Sequence, residues 1–115
     1  MSTVVVGEPE AAQRLAATLL ESEKPRIWAP QAPPADEPAH SSGPLARSLV
    51  AFEADAMGQE PDLVVLADDS DAALAALLVA TKLLIDVAAD ADARARSSAN
   101  GRVIAQLAEA YTRPA

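Results

Sequence analysis

The sequence PDLVVLADDSDAALAALLVATKLLIDV, residues 61–87, decides the fold class. Residues 63–66 are a short unbroken apolar run, which is typical of a parallel strand covered by helices on both faces. The acidic turn after this strand ends in Ser70 and Asp71, and either side chain can cap the helix that follows. Residues 71–84 have almost no polar face, which predicts a helix buried nearly all round. This order of elements indicates an α/β domain.

The rest of the chain follows the same order of strand and helix. Strands are predicted at residues 3–6, 26–29, 63–66 and 85–89, and helices follow them at about 8–19, 45–58, 71–84 and 98–111. Four such units predict right-handed crossovers and a parallel sheet of about four strands with helices on both faces. The 115 residues are therefore expected to form one three-layer, Rossmann-like α/β domain.

Two of these elements carry more specific expectations. Prolines on both sides of residues 26–29 favour an edge position for that strand, because proline cannot donate a hydrogen bond to a neighbouring strand. In the last helix, apolar residues at helical spacing predict an inward stripe of Ile104, Leu107, Ala108 and Tyr111.

A proline-rich segment separates the second strand from its helix. Residues 30–44 contain five of the nine prolines together with small and polar residues, which predicts a flexible loop. His40 lies in this loop without neighbouring ligand residues, so we interpret it as a solvent-exposed histidine rather than a metal ligand.

Composition excludes several classes of partner. A formal net charge of −8 at pH 7 argues against binding to nucleic acid or to an anionic membrane. The chain has no cysteine, no apolar run long enough to span a membrane and no basic signal-peptide start. A cytoplasmic protein is therefore expected.

The common phosphate-binding motifs are incomplete. A dinucleotide fingerprint needs several glycines after the first strand, and only Gly7 is present there. A P-loop fails because both its glycine spacing and its lysine are missing, and the residues of a phosphotransfer receiver domain are also incomplete. We therefore expect neither a cofactor nor a metal.

Candidate ligand residues come from the turns after the strands, because ligands of parallel sheets bind beyond the carboxyl ends of the strands. Helix capping explains the acidic residues 68–71 without a ligand. Near the start of the last helix, Arg94, Arg96 and Arg102 could hold an anion, although Asp90 and Asp92 are near enough in sequence to neutralise them. We interpret Trp28 as packing on the edge strand rather than as a stacking platform for a base.

These turns resemble the N-terminal domain of the UDP-N-acetylglucosamine 2-epimerases, which have the two-domain glycosyltransferase B-type fold. VVVGEPEA, residues 4–11, is similar to that family's first strand followed by G-T-R-P-E-A, shortened by one residue. Gly7, Pro9 and Glu10 match this motif, whereas its arginine is missing.

Two later stretches extend the resemblance over nearly the whole chain. Residues 61–88 resemble the family's P-D, apolar strand, H-G-D-T, alanine-rich helix and G-I-P-V-A, with Asp69 and Ser70 on the Asp-Thr pair. Residues 95–115 resemble its R, E-E-x-N-R, A-D and A-P stretch, and here the matched positions are Arg96, Arg102, Ala108 and Pro114. With the arginine cluster, the candidate ligand-binding residues are Gly7, Glu10, Asp69, Ser70, Arg94, Arg96 and Arg102.

The departures from the family pattern fall on its acid/base residues. The positions nearest to the family's glutamates are Ala91, Ser98 and Ala99, and the family's His, Gly, Gly and Pro are replaced by Ala67, Asp68, Leu84 and Asp86. Proton transfer at the sugar carbon needs a group on each face, and Asp69 is the single candidate catalytic residue that the resemblance retains. The family's second domain has no counterpart in the 115 residues.

The resemblance therefore implies a non-catalytic epimerase-like domain that binds a nucleotide sugar or another small anion, or acts in protein assembly. One alternative is a subunit of a split nucleotide-sugar epimerase or glycosyltransferase, completed by a partner chain. Another is a purely structural oligomerisation module. A homodimer is expected, through helix packing rather than sheet-edge pairing, because residues 71–84 have few polar groups to face water.

Overall fold

The computed structural model describes residues 1–30, 35–38 and 41–112. Within them, all the strands lie parallel in one five-stranded sheet of order β2-β1-β3-β4-β5. The strands are β1 Thr3–Val6, β2 Arg26–Trp28, β3 Leu63–Leu66, β4 Asp86–Ala89 and β5 Glu109–Ala110. The helices are α1 Pro9–Ala16, α2 Gly43–Gln59, α3 Asp71–Leu83 and α4 Ala99–Leu107.

Helices cover both faces of this sheet, as predicted. On one face, α1 packs against Val5 of β1 and Val65 of β3. On the other face, α2, α3 and α4 pack against the alternate residues of the same strands, and Phe52, Leu77 and Ile104 are fully buried there. Side chains alternate between the faces of a strand, so an unbroken apolar run in β1 and β3 serves both layers. The three-layer Rossmann-like α/β prediction is confirmed.

The helix α3 is buried because its alanines allow close packing. Its buried residues are Ala72, Ala73, Ala75, Ala76, Leu77, Val79 and Ala80. The exposed positions are Leu78, Thr81 and Lys82, which lie on its outer side. Packing within the chain thus explains most of the apolar composition of α3, with Leu78 as the exposed exception.

The helix ends follow local sequence rules. Pro9 opens α1, where its missing N–H costs no hydrogen bond. Ser70 is the N-cap of α3, and its Oγ accepts a hydrogen bond from the backbone N–H of Ala73 at 3.2 Å. Leu84 ends α3 in the left-handed conformation, with φ 61°, and its side chain is 91% exposed.

The C-terminal prediction was wrong in two respects. The last helix ends at Leu107 rather than at Tyr111, and Glu109–Ala110 forms a fifth strand beside β4. Leu107 is 55% exposed, so it does not belong to the inward stripe, whereas Ile104 and Ala108 are buried. Pairing with β4 satisfies backbone groups of an otherwise open edge, and this outweighs one more turn of helix.

The loop prediction also needs a correction where it meets α2. Gly43 and Pro44 form the first turn of α2 rather than the end of the loop, because proline fits a first helical turn. Residues 31–34, 39–40 and 113–115, and with them His40 and Pro114, lie outside the described residues. Flexibility of the loop stays a prediction.

The second strand lies at the edge of the sheet, as its flanking prolines predicted. Trp28 packs edge-to-face on Phe52 of α2, with ring centroids 5.2 Å apart and an interplanar angle of 78°. This contact agrees with a packing role for Trp28. Among the residues that the structure describes, no helix has the length and apolarity required to cross a bilayer.

Candidate functional site

The strand order places a switch in chain direction between β1 and β3. From β1 the chain continues through α1 on one face to β2, whereas from β3 it continues through α3 on the other face to β4. In a doubly wound sheet, the crevice at the carboxyl ends of two such strands is the usual ligand site. Residues 7–10 and 68–71 flank this point.

A cleft of about 1000 Å³ opens beside this switch point. Its walls come from the start of α1, the end of β2 and the N-terminal parts of α2 and α3. Trp28 and Val50 contribute apolar surface, and Glu8, Arg47 and Asp71 contribute the charged groups. The cleft thus combines an apolar wall with a few charged groups, as small-molecule sites do.

Asp68 holds the two turns of the switch point together. Its carboxylate accepts hydrogen bonds from the backbone N–H groups of Glu8 at 2.9 Å and Ser70 at 3.1 Å. Gly7 lies against this carboxylate, since a Cβ on Gly7 would be 3.1 Å from Asp68 Oδ1 and 3.1 Å from the Cβ of Ala67. Gly7 and Asp68 therefore fix the positions of the two turns beside the cleft, although neither residue lines it.

Asp69 is bonded to the start of α4. Its Oδ2 accepts a hydrogen bond from Ser98 Oγ at 2.6 Å, and its carbonyl oxygen accepts one from Asn100 Nδ2 at 3.0 Å. Asn100 Nδ2 is also 3.0 Å from Asp71 Oδ1, and Ser98 Oγ caps α4 by accepting from the backbone N–H of Gly101 at 3.0 Å. These bonds give Asp69 a structural role that the sequence pattern did not reveal.

The predicted ligand residues are spread over the carboxyl edge of the sheet. Ser70 lines the cleft, whereas Glu10 is exposed in the first turn of α1. The arginines lie past β4, where Arg102 Nη1 donates to the carbonyl oxygen of Arg96 at 3.4 Å. The buried Nε of Arg94 has no hydrogen-bond partner within the described part of the chain. The arginines do not line the cleft.

Sequence reasoning missed Arg47 as a cleft residue. Pro44, Ala46 and Arg47, from the first two turns of α2, line the cleft, and Arg47 forms an ion pair with Glu37. One signal was available, because α2 has no acidic residue in its first turn, unlike α1 and α3. Its N-cap, Ser42, makes no side-chain capping bond.

Metal ligands are not grouped in this site. Within residues 1–30, 35–38 and 41–112, no three His, Cys, Asp or Glu side chains are arranged to hold a metal ion. The carboxylates of residues 68 and 69 bind N–H and O–H donors instead.

No family model matches the chain, and no curated protein does. Solved structures do match. The S. aureus MnaA–UDP co-structure aligns with a TM-score of 0.68 and 19% identity, over 94% of this chain and 36% of that one. UDP-GlcNAc 2-epimerase from Neisseria meningitidis, bound to UDP-GlcNAc, aligns with a TM-score of 0.65 and 19% identity, over 92% of this chain and 37% of that one. UDP-N-acetylglucosamine 2-epimerase from Rickettsia bellii aligns with a TM-score of 0.70 and 12% identity, over 93% of this chain and 36% of that one.

The chain has a UDP-GlcNAc 2-epimerase-like fold. The resemblance in the turns is thereby confirmed as a likeness of fold, which is what identities of 12% to 19% support. The chain spans little more than a third of the length of these three proteins, at 36% to 37%.

Proposed function

We propose that this chain is a non-catalytic, epimerase-like binding domain whose ligand occupies the cleft at the β1/β3 switch point. The observation that carries the proposal is the cleft itself, whose volume of about 1000 Å³ would accommodate a nucleotide sugar. Two proteins of similar fold were solved with UDP or UDP-GlcNAc. A nucleotide sugar or another small anion is the corresponding ligand class for this chain.

Charge is divided between the walls of the cleft. On the α2 side, a first turn without acidic residues favours an anionic group, because the N-terminal end of a helix carries partial positive charge. Arg47 lines the same wall and is paired with Glu37, so a ligand anion would have to compete with that carboxylate. On the α1 and α3 side, Glu8 and Asp71 offer carboxylate oxygens that can accept hydrogen bonds from hydroxyl groups, although Asp71 Oδ1 already accepts one from Asn100 Nδ2. A ligand with a phosphate at one end and sugar hydroxyls at the other fits this division.

The contacts of Asp69 support binding without epimerisation. A general base must reach the proton that it removes, whereas the Asp69 carboxylate is bonded to Ser98 and is absent from the cleft walls. Ala91, Ser98 and Ala99, at the positions that resemble the family's glutamates, bring no carboxylate. The alternative, a split enzyme completed by a partner chain, would need an oxygen of Asp69 to reach the substrate, either Oδ1 or Oδ2 after its release from Ser98.

Proton exchange separates these two possibilities. We expect no exchange of the C2 proton of UDP-GlcNAc with heavy water in the presence of the purified chain, measured by NMR. Exchange that Asp69→Asn abolishes would make Asp69 a base and would favour the split enzyme.

Thermal-shift measurements test the binding itself. UDP-GlcNAc, UDP and inorganic phosphate are compared on the native chain, because a ligand that binds the folded state raises the unfolding midpoint. Ala46→Glu adds bulk and negative charge at an exposed position of the cleft wall, and it should abolish the shift. Ala54→Glu, at an exposed position farther along α2, is the matched control and should retain it. If no ligand shifted the unfolding midpoint of the native chain, the proposal would be contradicted. The purely structural oligomerisation module would then be the favoured alternative.

Further expectations belong to the same proposal. The candidate ligand contacts remain Gly7, Glu10, Asp69, Ser70, Arg94, Arg96 and Arg102, of which Ser70 lines the cleft. The arginines, on the far side of α3, would reach only a ligand that extends past its N-terminus. A cytoplasmic location and a homodimer stay predictions.

A further inference from the structure

The cationic group of the cleft is already paired within the chain. Among the described residues that line the cleft, Arg47 is the only basic one. Its Nη1 donates a hydrogen bond to Oε1 of Glu37, which lies in the segment before α2. The Arg47 side chain is 40% exposed, whereas the Glu37 side chain is 11% exposed. A carboxylate of the chain itself thus occupies one side of the group that a ligand anion would bind.

The same carboxylate lies against the first turn of α2. A Cβ on Gly43 would overlap Oε1 of Glu37 and would be 3.0 Å from its Cδ. Gly43 is the first residue of α2, and the N-cap Ser42 makes no side-chain capping bond. Glu37 therefore has the surroundings of a bound anion, with a guanidinium on one side and the partly positive end of a helix on the other.

The chemistry of this pair decides which anions can replace Glu37. Ion pairs with a partly exposed member hold weakly because water screens them, so a stronger anion can displace the carboxylate without unfolding the chain. A ligand carboxylate would gain from Arg47 no more than Glu37 already does, and it would also lose its translational freedom. A phosphate group carries more negative charge and more acceptor oxygens, so it can compete.

We propose that Glu37 is a specificity-determining residue, an internal competitor at Arg47 that excludes carboxylates from the cleft and admits phosphates. This inference rests on the proposed function, since it takes the cleft as the ligand site. It narrows the ligand class from small anions to phosphate esters. Removal of the charge of Glu37 should open Arg47 to either kind of anion.

Two sugars that differ in their anionic group test the inference. Isothermal titration calorimetry of the native chain should detect glucose 1-phosphate and should give a much weaker affinity for glucuronate. Glu37→Gln keeps the shape of the side chain and removes its charge, so it should bind glucuronate about tenfold more tightly than the native chain does. Asp36→Asn makes the same change in net charge at an exposed neighbouring position, and it should leave both affinities unchanged.

Three results would overturn the inference. The first is a native chain that binds both sugars equally well, and the second is a Glu37→Gln variant with unchanged affinity for glucuronate. In both cases the cleft stays the ligand site and the proposed function stands. The third is an equal gain in Glu37→Gln and Asp36→Asn, because net charge would then be the cause.

A separate titration with UDP-GlcNAc distinguishes failure of the inference from failure of the proposed function. If neither sugar binds any of the three chains, the inference is overturned, and the proposed function fails with it only if UDP-GlcNAc does not bind either. Thermal unfolding of the variants gives a second readout. A lower midpoint for Glu37→Gln with unchanged affinities would show that Glu37 has a structural role alone.

Discussion

The carboxyl edge of the sheet has an open half beside β1 and β3 and a closed half between β3 and β4. In the open half, the helix starts surround a cleft of about 1000 Å³. In the closed half, Asp69, Ser98 and Asn100 bond the turn after β3 to the start of α4. Neighbouring residues of one acidic turn thus have different roles, since Asp69 binds Ser98 and Ser70 lines the cleft. Asp69 is bonded away from the cleft, whereas Asp71 lines the cleft and also accepts a hydrogen bond from Asn100 through Oδ1.

The closed half should be the more sensitive to substitution, and Gly101→Ala should show the largest effect. A Cβ on Gly101 would be 1.8 Å from the carbonyl oxygen of Ala95, so the backbone must shift. We expect a loss of about 3 kcal/mol in the free energy of unfolding, as for overpacked interiors. Urea denaturation followed by circular dichroism measures it.

Gly58→Ala is the matched control for that measurement. Gly58 also lies in a helix, and a Cβ added there would meet no atom within 4 Å. Alanine should therefore stabilise the protein by about 0.5 to 1 kcal/mol, because glycine loses more backbone entropy in a helix. Equal losses for the two variants would show that close approach to Ala95 is not the cause.

Asp68→Ala tests the link between the two turns of the β1/β3 switch point and should rank second. It leaves the backbone N–H groups of Glu8 and Ser70 without their acceptor, at an expected cost of about 2 kcal/mol. Asp68→Asn keeps one acceptor oxygen and should lose about half as much. The same urea titration measures both variants. If Asp68→Ala left the free energy of unfolding unchanged, water molecules would have replaced the carboxylate as acceptors for these N–H groups.

Ser98→Ala removes the cap of α4 together with the donor to Asp69. We expect a loss of about 1 to 2 kcal/mol, which is the range for capping residues. Ser97→Ala, at the exposed neighbouring position, is the control and should cost less than about 0.5 kcal/mol. Thermal unfolding of the two variants side by side provides the comparison. If Ser98→Ala also creates proton exchange on UDP-GlcNAc, the closed half is a masked active site.

The smallest effect on stability is expected in the open half. Ala46→Glu lies at an exposed position of the cleft wall and should change the free energy of unfolding by less than about 0.5 kcal/mol. Loss of ligand-induced stabilisation without loss of stability would mark the cleft as a binding surface. A large destabilisation would instead show that the open half also supports the fold.

Several features of the fold were predictable from short stretches. The apolar run of β3, the Ser70 cap and Pro9 at the start of α1 each depend on neighbours within a few residues. The fifth strand was not predictable, because Glu109–Ala110 carries no strand pattern and pairs only after β4 is in place. Gly101 also gave no signal, since its constraint comes from Ala95 after the chain has turned.

The candidate site was predictable only as an edge of the sheet. Parallel strands end on the same side, so the turns at residues 7–10 and 68–71 were expected to meet. Trp28, Arg47 and Asp71 line one cleft although they are far apart in sequence, because α2 crosses over β1 and packs beside α3. A local sequence pattern therefore cannot predict which of these residues line the same cleft.

The sequence by itself determined the alternation of strand and helix, the two-sided burial of β1 and β3 and the starts of α1 and α3. These depend on apolar spacing and capping, which act within one or two turns. Only the tertiary structure decided that Asp68 joins two turns and that Asp69 binds Ser98, while Glu8 and Asp71 line the cleft. The physical reason is that the role of a polar side chain depends on its hydrogen-bond partner. Asp68 joins the turns through Glu8, 60 residues away, and Asp69 binds Ser98, 29 residues away.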